Sequence, residues 1–152
     1  HDNPCGDDRY YNNIFTGRAN MQAYDKARMP VTMEGNVFLR GAKPCKHESN
    51  PLLKPDVDPA IKLMEQSGAF QLELNFDPAW AAERTRKLVT TELLDRAKIP
   101  DLPYETRDGT PLCIDTDYFG AKRNAQNPFP GPFELSERKN QILNVWPVHM
   151  AQ

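Results

Sequence analysis

Three acidic residues beside strand-like runs carry the first chemistry this sequence offers: Asp7 and Asp8 in Gly6-Asp7-Asp8-Arg9, and Glu34 in Thr32-Met33-Glu34-Gly35. Cleaving a glycosidic bond needs two carboxyl groups, one protonated to assist the leaving group and one ionised as nucleophile or base. Neighbouring like charges raise one pKa of a pair, so Asp7 and Asp8 are expected to share a proton. Asp8 and Glu34 are expected on stacked strands, offset by three residues, with a carboxyl separation of roughly 6–12 Å. That range fits both retaining and inverting chemistry. Arg9, His47 and Glu48 are the candidate substrate-binding residues, and His47 can also tune a nearby carboxyl. Each has a plainer reading: a solvated turn with a local ion pair for Asp-Asp-Arg, an outward surface position for Glu34, and loop charges for Asp25 and Glu48.

Other chemistries find less in the sequence. Asp115 and Asp117, with Glu105 and Asp108 nearby, are hard oxygen ligands that can bind calcium, although EF-hand spacing is absent. No other metal or cofactor is expected, since no G-x-S-x-G elbow, P-loop or G-x-G-x-x-G motif occurs. Cys5, Cys45 and Cys113 are an odd number without C-x-x-C spacing, so at most one disulfide forms. Trp80, Trp146, Tyr10 and Tyr11 can stack on sugar rings or fill a core.

The elements that must position these groups read as strands. Arg9 to Gly17 and Val31 to Gly41 are both rich in β-branched and aromatic residues and both end in glycine. Superposing Asn13-Ile14-Phe15 on Asn36-Val37-Phe38 gives a shift of 23 residues, the period of one solenoid coil. Asn on Asn then forms a side-chain ladder, while Ile on Val and Phe on Phe continue the interior. Residues 42–59, with four prolines, read as a loop. Phe70 to Phe76 alternates as a half-buried strand does, and Gln141 to Trp146 offers a last one. Asp77-Pro78 opens a helix of two or three turns. Leu88 to Thr91 can start another strand, which Glu92-Leu93-Leu94 either continues or leaves for a turn, and residues 127–133, with three prolines, form an extended strap.

Composition agrees with a loop-rich β protein. Fourteen prolines and eight glycines disfavour long helices, and seven Phe, five Tyr and two Trp supply burial units. A net charge of −2 without a basic block excludes the electrostatic footprint of nucleic-acid binding. No apolar run reaches the ~18 residues of a membrane-spanning helix.

With Gly6-Asp7-Asp8-Arg9-Tyr10-Tyr11-Asn12-Asn13-Ile14-Phe15, Glu34-Gly35-Asn36-Val37-Phe38, Asp115-Thr116-Asp117-Tyr118-Phe119-Gly120, Arg123 and Pro130-Gly131-Pro132-Phe133, the chain resembles the C-terminal part of right-handed parallel β-helix carbohydrate enzymes, those of glycoside hydrolase families 120 and 141 above all. The resemblance implies an all-β fold: the last coils of a β-helix over residues 1–59, and a β-sandwich-like region with one short helix over 60–152. It implies hydrolysis of plant or host polysaccharide by carboxylates from neighbouring coils, here Asp7 or Asp8 with Glu34. Two coils are too few for a solenoid to bury its faces. The chain is therefore expected to be a fragment, or one chain of a larger protein that contributes the rest of the helix. A start at His1 is compatible with processing, and the protein is expected to be secreted or periplasmic. A non-catalytic carbohydrate-binding or structural β module, and a polysaccharide lyase, are the competing readings.

Overall fold

The computed structural model describes residues 6–135 and 140–147; His1, Asp2 and Cys5 lie outside them. Each strand run at the start is two strands meeting at a bend. The first comprises β1 (Asp8–Tyr11) and β2 (Ile14–Thr16), and the second β3 (Val31–Glu34) and β4 (Val37–Leu39). A third turn follows, β5 (Glu48–Ser49) and β6 (Leu52–Lys54), inside the stretch expected to be a loop. The strands stack into two parallel sheets, β1-β3-β5 and β2-β4-β6.

Register follows the sequence shift for the first pair. Asp8 faces Val31 and Ile14 faces Val37, 23 residues on. Val37 then faces Leu52, only 15 residues on. The longer return of the first coil holds a 3-10 helix, Met21–Lys26, whose cap Asn20 accepts a bond from the Gln22 N–H. Pro51 does not prevent the third coil. In the coils beneath, the aligned N–H groups of Asn13 and Asn36 bond to side chains, Asn36 Oδ1 and Glu48 Oε1, so a proline there breaks no strand-to-strand bond.

The bends themselves stack. Asn12, Gly35 and Asn50 all adopt positive φ, at 58°, 70° and 60°, which swings the chain from one sheet into the other. Gly35 has a second constraint, because a Cβ there would lie 2.9 Å from Asn12 Oδ1 and 3.2 Å from Arg86 Cγ.

Packing divides into two cores. Met21, Val31, Met33, Phe38, Ala42 and Cys45 fill the space between the parallel sheets, with Phe15 and Phe38 stacked at 5.2 Å. Ile14 and Val37, expected to continue that interior, face the other way. Their side of β2-β4-β6 packs under Leu74, Phe76, Trp80, Phe129 and Phe133, which is why Val37, Phe38 and Leu39 are all buried.

The cover is an antiparallel sheet, β7 (Lys62–Gln66), β8 (Ala69–Asn75) and β9 (Asn140–Trp146), in that order. Ser67-Gly68, both at positive φ, closes the β7-β8 hairpin. Among the described residues between β8 and β9 lie two helices of four residues each, not one helix of two or three turns. Asp77 accepts a bond from the Ala79 N–H and α1 (Trp80–Glu83) follows, but Arg84 is extended and ends it after one turn. Thr90, expected near the start of a strand, caps α2 (Thr91–Leu94) by accepting from the Leu93 N–H. The described chain is thus mostly strand with a few short helices. Among the described residues no helix is long and apolar enough to cross a membrane.

Candidate functional site

Residues 84–98 run as a clamp over the stacked bends and onto the outer face of β1-β3-β5. Asn50 Nδ2 donates to the Thr85 carbonyl at 2.7 Å, Arg86 Nε donates to Gly35 O at 2.8 Å, and Asn12 Nδ2 donates to Lys87 O at 2.8 Å. Three successive clamp residues therefore tie three successive coils. Tyr11 Oη then donates to Leu93 O and Arg9 Nε to Leu94 O.

Arg9 is the anchor of this clamp, not a free sugar ligand. Its guanidinium donates to the carbonyls of Leu94, Asp7 and Arg96, to Asp7 Oδ1 and to Tyr104 Oη, and lies 4.9 Å from the centre of the Tyr104 ring. Asp7 is spent on the same task. Its Oδ2 accepts from the Lys98 N–H and its Oδ1 from Arg9, which together hold the carboxyl below its ordinary range. An ionised, doubly hydrogen-bonded Asp7 does not share a proton with Asp8, so the expected acid pair is replaced by a local ion pair.

Asp8 and Glu34 sit on neighbouring strands as expected, but the strand alternation separates them. Val31 and Met33 face the interior while Thr32 and Glu34 face outward, and Asp8 stands opposite Val31. The three-residue offset puts their Cα atoms roughly 11 Å apart, with side chains on opposite faces of the sheet. Glu34 reaches the outer surface with its side chain 29% exposed, 3.6 Å from Lys87 Nζ and level with Tyr11. Burial and the Glu34 charge both push the Tyr11 phenol up, so it stays protonated. Glu34, Tyr11 and Lys87 thus form a small polar group on the outer face, of which Glu34 was expected as a carboxylate and Tyr11 as a stacking or core ring, and Lys87 was not expected.

Glu48 turns inward. Its carboxylate accepts from Asn36 Nδ2 at 2.6 Å and from the Asn36 N–H at 3.3 Å, ending a ladder in which Asn36 Oδ1 accepts from Asn13 Nδ2. Burial raises the Glu48 carboxyl in spite of these bonds. Arg86, missed in the sequence, is 1% exposed and donates to the carbonyls of Gly35, Trp80 and Arg84. Desolvation lowers its pKa to about 10, which leaves it charged at neutral pH. No local sequence pattern marks a buried arginine that joins the Gly35 carbonyl, 51 residues away, to the nearby carbonyls of Trp80 and Arg84. His47 stands just before β5, and among the described residues nothing bonds it to Asp8 or Glu34. Asp25 accepts from the Lys46 N–H and so ties the returns of two coils.

The remaining candidates are structural. Asp117 accepts from the N–H groups of Phe119, Ala121 and Glu134, and Asp115 pairs with Lys122. Among the described residues no group of three or more His, Cys, Asp or Glu is placed to hold a metal. Trp80 is buried and Tyr10 bonds to Tyr24 in the coil interior, whereas Trp146 is exposed. Cys45 and Cys113 are free thiols. A cleft of about 500 Å³ beside the first coil is lined chiefly by apolar groups such as Ile14, Phe15, Leu74, Val89 and Phe133. Arg123, the one cation among the described residues of its lining, donates to the carbonyls of Thr116, Phe129 and Gly131. The other polar groups of its lining, Tyr11, Asn12 and Asn13, also donate to protein oxygens, those of Leu93, of Lys87 and of Tyr11 and Asn36 respectively.

No protein-family model matches this chain, and no curated protein matches it. Among solved structures it is similar to XylC, in a structure of its complex with xylose, at 28% identity and a TM-score of 0.82. The match covers 93% of this chain and 26% of that one, so the chain spans about a quarter of XylC.

Proposed function

We propose that this chain is part of a carbohydrate-active enzyme that hydrolyses glycosidic bonds in xylose-containing glycans. The observation that carries the reading is the similarity to XylC over 93% of the chain, a protein whose structure holds xylose. The three parallel coils support a right-handed parallel β-helix as the parent architecture. In this reading further coils stack on the open edges of β1 and β2, and the substrate lies in a groove along the part of the outer face of β1-β3-β5 that the clamp leaves open, beside Thr32, Glu34 and Ser49. The parent protein is exported to reach polymeric substrate.

Within that groove Glu34 is the carboxylate on the accessible face, with Lys87 to position it. Asp8 points to the opposite face, so the second carboxylate comes from a coil stacked on β1. Replacing Glu34 by Gln in the full-length protein tests the assignment, with Asp8→Asn as the comparison. Turnover of an aryl xyloside is expected to fall 10²- to 10⁴-fold in the Glu34 variant, with an unchanged melting temperature. Normal turnover in Glu34→Gln would remove Glu34 from the mechanism, and a loss confined to Asp8→Asn would move the chemistry to the inner face.

A further inference from the structure

The outer face of the β7-β8-β9 sheet has a composition unlike an ordinary solvated surface. Alternation and register put Lys62, Met64 and Gln66 of β7 on that face with Ala69, Gln71, Glu73 and Asn75 of β8 and Asn140, Ile142 and Asn144 of β9, and a bulge beyond Asn144 sets Trp146 opposite Phe70 at the end of that strand. Apart from Trp146, five of these ten residues are carboxamides. Lys62 stands directly opposite Glu73, so the face as a whole is neutral. Gln71 and Asn144 are cross-strand partners, joined by a bond from Gln71 Nε2 to Asn144 Oδ1 at 3.0 Å. Trp146, two residues beyond Asn144, is 60% exposed, whereas the other tryptophan, Trp80, is 3% exposed.

We propose that this face binds a neutral glycan chain, with Trp146 as the stacking platform and Asn144 and Gln71 as the polar contacts. A carboxamide carries both donors and an acceptor, as does a sugar hydroxyl, so a row of amides can match a polyol without a net charge on either side. A protein partner would instead have to satisfy five buried amides, each costly if left unpaired. The indole offers a broad apolar plane for the C–H face of a pyranose ring while its N–H stays wet. Asn140 to Trp146 spans roughly 20 Å, so the site takes a chain of several sugars and not a monosaccharide. The choice of a xylose-based probe rests on the functional reading above. The face itself is separate from Glu34 and its groove.

Native electrophoresis of the full-length protein through gels containing soluble neutral xylan tests this, with polygalacturonate gels as the charged control. Wild type is expected to be retarded by xylan and not by polygalacturonate. Trp146→Ala should weaken the apparent affinity at least ten-fold and Asn144→Ala several-fold, while both cleave a short aryl xyloside at the wild-type rate. Retardation of both variants equal to that of wild type would overturn the proposal. So would no retardation of wild type, equal retardation by polygalacturonate, or a Trp146→Ala protein that sediments as a smaller assembly than wild type. A wild type that cleaves no xyloside, yet is retarded in a Trp146-dependent way, would sink the hydrolase reading and leave the glycan face standing.

Discussion

Individual side chains in this protein are assigned by the bonds they have already made. Asp7 carries the residue type of a catalytic acid and Arg9 that of a substrate ligand, but their hydrogen bonds to each other and to residues 94–104 make them fasteners. Their adjacency was legible in the sequence; the distant carbonyls that consume the guanidinium were not, because contacts across 85 or more residues leave no local pattern. Gly35 combines positive φ with a close passage of Arg86, so Gly35→Ala is expected to cost about 2 kcal/mol. Chemical denaturation measures it, and an unchanged midpoint would show that the clamp can shift aside. Glu48 gives a pH signature. Its folded pKa is raised above its ordinary value of 4.5, so the native state binds the proton more tightly than the unfolded state. Its contribution is therefore favourable in acid and is lost as pH rises from about 4.5 through the raised value. Glu48→Gln removes that titration, and wild type should lose stability relative to the variant as pH climbs through this window. Parallel stability curves for the two proteins would contradict the assignment of burial as the dominant cause.

Among the elements, the first two coils were readable and the third was not. Asn-Ile-Phe and Asn-Val-Phe repeat the same three environments, a ladder position, a position facing the antiparallel sheet and an interior ring, and the register confirms their 23-residue shift. The third coil changes its period to 15 and puts Pro51-Leu52-Leu53 where the motif should be, with strands of two and three residues. Nothing in so short a segment rises above its prolines. The clamp was missed for a different reason. Residues 84–98 form almost no regular structure, and their bonds run to the stacked bends rather than to neighbours in sequence. The β8 strand was legible because alternation survives wherever one face is wet. Its hairpin partner β7 was not, since both of its faces are largely exposed and Leu63 and Ile61 project past the core.

At the scale of the whole molecule, two open features meet at the first coil. β1 and β2 are edge strands of their sheets, and the apolar cleft beside them is lined by Ile14 and Phe15 of the same coil. Exposed parallel edges invite further strands. The chain corresponds to 26% of XylC, which gives those edges a natural occupant in the longer protein we propose. The central claim is that this longer protein releases sugar from xylose-containing chains. The most direct measurement is the product of the purified full-length protein acting on xylo-oligosaccharides, followed by chromatography of the reducing sugars. The account predicts xylose or short xylo-oligosaccharides without unsaturated ends, formed by wild type and reduced at least 100-fold by Glu34→Gln. No released sugar, or release by Glu34→Gln at the wild-type rate, would contradict it.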